Sequence, residues 1–225
     1  MAIELVVAPD PEEAARRAAE LLVELARAGG HVALSGGSTP RRAYELAAEL
    51  EPDWSRVDVW LGDERCVPAD DPLANVRLVH DGLVRHVQEP PAVHPVDTAL
   101  PPPQAAAAYD SALEGVELGL ALQGIGPDGH TASLYPDAPS LYVTDARAVA
   151  APAQLEPFVD RVTMTVPMLC SARLVVFLVV GEGKAEAARR AFAEAPSPAT
   201  PASLVRSRTG RTVAILDLAA ARDVR

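Results

Sequence analysis

Leu118-Gly-Leu-Ala-Leu122-Gln-Gly124-Ile-Gly-Pro-Asp-Gly-His130 sets an apolar run directly against a loop crowded with glycine. The run 118–122 predicts a buried strand of a parallel sheet. Three glycines, a proline, an acid and a histidine then fall within residues 124–130. Glycine lets a backbone turn sharply and come close to a ligand. The stretch ends on His130, and histidine is the side-chain type that can exchange a proton near neutral pH. At this point a catalytic loop, a nucleotide loop and a plain turn all remain open.

The same grammar of strand, loop and helix extends on both sides. Residues 3–7 predict a short strand. Asp10-Pro11-Glu12-Glu13 then opens a helix, with Asp10 as cap, Pro11 at the first helical position and Glu13 completing a capping box. Ala14, Ala18, Leu21, Leu22 and Leu25 give that helix an apolar face, and Gly29-Gly30 ends it. Val32–Leu34 reads as a strand leading into Ser35-Gly-Gly-Ser-Thr-Pro40 and a second helix with Ala43, Leu46, Ala47 and Leu50. Val57–Leu61 is a third strand, ending in Gly62-Asp-Glu-Arg65. A helix around 72–86, an irregular proline-rich connector over 89–103 and a helix near 104–115 follow. Beyond the histidine loop, strands are expected at 146–151, 161–166, 174–180 and 212–216. A helix runs from Gly181-Glu-Gly-Lys184 through Phe192, and a short helical piece covers 203–207. This alternation predicts one α/β domain over 1–225: a doubly wound, mostly parallel, Rossmann-like sheet with helices on both faces. Ligands bind such sheets beyond the carboxyl ends of the strands.

Composition narrows the function classes. The chain has 225 residues and a net charge of −11, which argues against a nucleic-acid partner because no broad basic surface is available. No apolar run approaches the length of a membrane span, and residues 1–7 lack the features of a signal peptide, so a cytoplasmic protein without a membrane partner is expected. Two cysteines, Cys66 and Cys170, are too few for a disulfide framework, and no histidine–acid spacing gives a metal site. All basic residues but one are arginine; the exception is Lys184.

Three glycine- or charge-rich segments follow predicted strands, and each has an ordinary structural alternative. Ser35–Pro40 offers free N–H groups at a helix start, where the helix dipole favours an anion; capping by Ser38 or Thr39 explains the same residues. Gly62-Asp63-Glu64-Arg65 presents a guanidinium fork suited to phosphate or carboxylate, or a surface ion pair of Arg65 with Asp63 or Glu64. Gly124–Gly129 matches the dinucleotide pattern G-x-G-x-x-G, but an acid at a strand end about 20 residues on is lacking, and the pattern does not explain His130. Asp128 either orients the imidazole or caps the next segment. Lys184 opposes the dipole of the helix it begins, by about 0.3–1 kcal/mol, unless an anion binds nearby. Arg161, at the start of a strand, carries no reading alone.

Together, Ala33-Leu-Ser-Gly-Gly-Ser-Thr-Pro40, Gly62-Asp-Glu-Arg-Cys-Val-Pro68 and Gly124-Ile-Gly-Pro-Asp-Gly-His-Thr-Ala-Ser-Leu-Tyr-Pro136 resemble the signature blocks of the 6-phosphogluconolactonase family, in its order and spacing. Thr131-Ala-Ser133 and Arg65 resemble the lactonases more than the related glucosamine-6-phosphate deaminases. The resemblance implies hydrolysis of a phosphosugar lactone, 6-phospho-D-glucono-1,5-lactone, with no metal or organic cofactor. It implies His130 as general base on water and Asp128 as its orienting acid. It also implies a substrate site of Gly36, Gly37, Ser38, Thr39, Asp63, Arg65, Arg161 and Lys184. Two departures are visible: Leu73-Ala-Asn75-Val76 stands for the usual Ser-Asn-Tyr, and Gln123 interrupts an apolar strand end.

Overall fold

A computed structural model describes residues 3–154 and 156–224. Strand β1 (Ile3–Ala8) leads into α1 (Pro11–Ala28), where the Asp10 carboxylate accepts the Glu13 N–H at 2.8 Å. The Glu13 side chain turns to Arg17 at 2.9 Å, so only the Asp10 half of the expected capping box is seen. The chain continues through β2 (Gly30–Leu34), α2 (Ser38–Leu50), β3 (Val57–Leu61), β4 (Asp63–Arg65), α3 (Asn75–Gly82), β5 (Ala92–His94), α4 (Pro102–Ala112) and β6 (Leu118–Gln123). The second half holds β7 (Ala148–Ala151), β8 (Arg161–Met164), α5 (Val166–Ser171), β9 (Leu174–Val179), α6 (Ala185–Phe192) and β10 (Arg211–Asp217).

Seven of these strands form one sheet in the order β1-β10-β9-β6-β2-β3-β5, with every pairing parallel. Both faces of the central strands are covered, so these are apolar on both sides, while the edge strand β1 leaves Leu5 and Val7 exposed. In β9, Val176 and Leu178 pack with α1 and α2, while Val175, Phe177 and Val179 pack with α4, α5 and α6. The fold is therefore α/β and doubly wound, as the alternation of elements predicts. From β2 the chain winds outward to β3 and β5; from β6 it winds the other way, to β9 and β10. The sheet thus changes direction between β2 and β6, and the crevice beyond their carboxyl ends is where such sheets bind ligands.

A second, three-stranded antiparallel sheet, β4-β8-β7, is joined to the first where the Met164 N–H donates to the Gly62 carbonyl at 2.8 Å. The sequence reading has no such sheet, and it corrects several expectations. Residues 63–65 are a short strand rather than a loop. Residues 161–166 stop being strand at Met164, because the Thr165 hydroxyl accepts the Met168 N–H and starts α5. The connector 89–103 contributes β5, an edge strand over its proline-free stretch Ala92–His94. The helix expected over 72–86 is α3 followed by a 3-10 turn at Val84–His86, and the helical piece near 203–207 is a 3-10 turn at Pro201–Leu204. Leu50 lies exposed at the end of α2 instead of on its apolar face. No described helix is long and apolar enough to cross a membrane.

Candidate active site

A cleft of about 220 Å³ lies beyond the carboxyl ends of β2, β3 and β6. Its walls include Gly36, Gly37, Asp63, Arg65, His130, Arg161 and Lys184 from the sequence reading, and Ser35 and Asn75, which that reading leaves out of the site. Ser38 and Thr39 stand at the start of α2 but do not line the cleft, and the helix is capped by Gly37 without any side-chain cap. Capping by Ser38 or Thr39 is therefore excluded.

The histidine loop leaves β6 and closes on itself. The Gly126 N–H donates to the His130 carbonyl and the Gly129 N–H to the Gly126 carbonyl, both at 2.9 Å. Asp128 Oδ1 accepts the His130 N–H at 3.2 Å and lies 2.6 Å from His130 Nδ1. Asp128 thus combines the two roles the sequence left open, turn and orienter. Burial pushes its carboxyl up, but the hydrogen bond and charge of His130 prevail and hold it below the usual carboxylate range. An ionised carboxylate only accepts, so the ring proton sits on Nδ1 and leaves the Nε2 lone pair free. No helix follows this loop, only turns and a 3-10 segment at Pro139–Tyr142, so the strand–helix unit of a dinucleotide site does not form.

Thr131 and Ser133 fasten the loop to its neighbours. The Thr131 hydroxyl lies 2.9 Å from the Gly124 carbonyl and 3.1 Å from Gln123 Oε1, so the fully buried Gln123 has a specific partner. The Ser133 hydroxyl donates to Asp63 Oδ2 at 2.6 Å. Asp63, itself buried, also accepts from Asn75 Nδ2 at 3.2 Å, which engages both of its carboxylate oxygens.

Neither acid of segment 62–65 pairs with Arg65. Glu64 is buried and accepts three backbone N–H groups: Arg65 at 2.7 Å, Asn75 at 2.7 Å and Val76 at 2.8 Å. It caps α3 from another strand, where Ala74 offers no side-chain cap. Burial pushes its carboxyl up to about 7 against the pull of those donors. Arg65 gives its NH1 to the Leu73 carbonyl at 2.8 Å and to Asn75 Oδ1 at 2.7 Å. Asn75 therefore joins Arg65, Asp63 and the loop at Gly36, whose missing Cβ would fall 1.9 Å from Asn75 Oδ1. The resemblance keeps Asn75 of the family's Ser-Asn-Tyr, but its role is not visible there, since its partners lie ten or more residues away. Asn75→Ala is expected to destabilise the fold by about 2 kcal/mol, because it leaves buried partners unsatisfied, and to loosen Arg65. Urea unfolding measures the first effect and the KM for substrate the second.

Three cations face the cleft, and their contacts leave them available to an anion. Arg161, 5 % exposed, gives NH2 to the Pro157 carbonyl at 3.3 Å, and its guanidinium lies 6.0 Å from the Tyr135 ring centre. Arg65 and Arg161 stand directly opposite each other on β4 and β8, and the Nε of each is buried without a hydrogen-bond partner among the described residues. Like charges across a strand pair repel. Lys184 precedes α6 at the end of a 3-10 turn; burial pulls its ammonium below the usual amine range, and the charge of Asp128 opposes that shift. Among the described residues no group of three or more His, Cys, Asp or Glu side chains is placed to hold a metal ion.

A doubly wound sheet with an acid-oriented histidine and a cationic cleft at its switch point defines an α/β protein whose cleft sets a proton acceptor beside a site for an anion. Residues 9–214 match the model of the family described as glucosamine-6-phosphate isomerases/6-phosphogluconolactonase. The 6-phosphogluconolactonase of Synechocystis is 38% identical over 211 residues, covering 88% of this chain and 86% of that protein. The human 6-phosphogluconolactonase is 36% identical over 210 residues, covering 88% and 81%. Among solved structures, the 6-phosphogluconolactonase of Trypanosoma brucei superposes with a TM-score of 0.87 at 25% identity, covering 99% of both chains. The chain belongs to this family and, within it, to the 6-phosphogluconolactonases.

Proposed function

We propose that the protein hydrolyses 6-phospho-D-glucono-1,5-lactone to 6-phosphogluconate in the oxidative pentose phosphate pathway, with His130 activating the attacking water. One observation carries the reading: the Asp128-oriented His130 opens on the same cleft as Arg65, Arg161 and Lys184. A proton acceptor and an anion site within one small cleft suit a substrate that bears both an ester carbonyl and a phosphate.

In this scheme His130 Nε2 takes a proton from water as the water oxygen attacks C1 of the lactone. Asp128 keeps the ring in the productive tautomer and balances the imidazolium charge. When the tetrahedral intermediate collapses, the bond from C1 to the ring oxygen breaks and the imidazolium returns its proton to that oxygen. The products are a free hydroxyl and the carboxylic acid, which gives its proton to solvent to become the carboxylate, and no covalent enzyme intermediate or cofactor is required. Backbone N–H groups of the glycine loops are the proposed donors to the developing oxyanion. The phosphate is proposed to lie at Gly36 and Gly37, before the α2 N-terminus with Ser38 and Thr39, and to be neutralised by Arg65, Arg161 and Lys184. Asp63 supports the site through Ser133 and Asn75. The net charge of −11 favours this small-molecule partner over nucleic acid and makes a local cationic pocket necessary for an anionic substrate. The cytoplasm is the proposed compartment.

Lys184→Ala tests the phosphate assignment. Loss of one charge-assisted contact is expected to lower kcat/KM for the phosphorylated lactone about 10- to 100-fold and to leave plain glucono-1,5-lactone unchanged. Equal loss on both substrates would remove Lys184 from the phosphate site.

A further inference from the structure

We propose that Ser35 is a specificity-determining residue whose side-chain hydroxyl binds a hydroxyl of the sugar portion of the substrate. Ser35 is 4 % exposed, lines the cleft, and its Oγ has no hydrogen-bond partner among the described residues. A buried hydroxyl without a partner destabilises the free protein and calls for an explanation.

The rest of the residue is fully engaged. The Ser35 N–H donates to the Tyr44 hydroxyl at 3.1 Å, and that hydroxyl donates back to the Ser35 carbonyl at 2.7 Å. Tyr44 is itself fully buried in α2. This double contact fixes the Ser35 backbone and leaves the side chain as the residue's one free polar group. Its placement fits a ligand contact. Ser35 directly follows β2, which lies between β6, the source of the His130 loop, and β3, which leads to Asp63 and Arg65. In strand order it therefore lies between the loop of His130 and the segment of Asp63 and Arg65, and it lines the cleft that Arg161 and Lys184 also line.

The chemistry of the cleft decides which part of the substrate it meets. Arg65, Arg161 and Lys184 already supply positive charge for a phosphate, and His130 addresses the carbonyl. Ser35 is neutral and both donates and accepts, which matches the donor–acceptor character of a sugar hydroxyl. The inference rests on the lactone reading of the site, so its test must separate the two.

The experiment compares wild type, Ser35→Ala and Lys184→Ala on 6-phosphogluconolactone and on plain glucono-1,5-lactone, with thermal unfolding of each free protein. Ser35→Ala is expected to lower kcat/KM on both lactones by a similar factor, roughly three- to tenfold, the ordinary worth of one neutral hydrogen bond. Its unfolding temperature is expected to stay the same or rise, since the hydroxyl satisfies nothing in the free protein. Loss confined to the phosphorylated lactone would place Ser35 on the phosphate and overturn the sugar-hydroxyl assignment. A kcat/KM within twofold of wild type on both lactones, or a fall in unfolding temperature alongside activity, would overturn it as well. Failure of wild type to hydrolyse either lactone would instead overturn the lactone reading on which the inference rests.

Discussion

The His130→Ala variant is expected to keep its fold and lose about 10²- to 10⁴-fold in kcat, the usual contribution of a positioned general base. The imidazole side chain is 21% exposed and, among the described residues, hydrogen-bonds only within its own loop, to Asp128. Its removal should therefore shift unfolding by no more than about 1 kcal/mol, as for most substitutions outside a core. Rates must be corrected for spontaneous lactone opening, because the substrate hydrolyses without an enzyme. An unfolding curve close to wild type beside a collapsed kcat separates chemistry from stability. Near-normal turnover with retained fold would remove His130 from the proton-transfer role.

Gly126→Ala is expected to lower kcat about 100-fold without removing any group that reacts, since misplacing a catalytic group by about 1 Å has that effect. A Cβ at residue 126 would stand 2.0 Å from His130 Nδ1, 2.2 Å from its Cε1 and 2.5 Å from Asp128 Oδ1. No contact that short survives, so the imidazole and its carboxylate must both move away. The backbone bonds from Gly126 to His130 and from Gly129 to Gly126 hold the turn and prevent it from yielding as a whole. The glycine is required by the closeness of the ring, and the resemblance to a dinucleotide fingerprint is incidental. Activity within twofold of wild type would show that the loop relaxes without displacing His130, and would refute this view of the turn.

Much of the fold was legible because strand and helix periodicities are local. The apolar runs at 32–34, 57–61, 118–122 and 174–180 are all strands of the parallel sheet, and the strand-end segments 35–40, 62–65 and 124–130 all reach one region. The small antiparallel sheet was not legible. Strands 148–151 and 161–164 lie within segments expected to be strand, but their pairing with each other and with the short, distant strand 63–65 rests on tertiary contacts that leave no period. Thr165 reads as part of a β-branched strand because propensity cannot tell a strand end from a helix cap.

In the candidate site, the contact of His130 with Asp128 was legible because they lie two residues apart and a short loop must bring them together. The role of Glu64 was not. As one of two acids beside Arg65 it suggests an ion pair, whereas the fold turns its carboxylate to the N-terminus of α3. Asn75 and Ser35 escaped for a related reason. Asn75 matters through what it holds, and Ser35 through the absence of a protein partner for its hydroxyl; neither property is written in neighbouring residues. Gln123, which looks out of place in an apolar strand end, becomes intelligible only beside the Thr131 hydroxyl.

The proposed lactonase activity is tested most directly by the hydrolysis rate of freshly generated 6-phosphogluconolactone with the wild-type protein, measured above the spontaneous rate and beside plain glucono-1,5-lactone. Strong acceleration is expected for the phosphorylated lactone, with a clear preference for it over the unphosphorylated one. No acceleration above the spontaneous rate, or an equal rate on both lactones, would contradict this expectation.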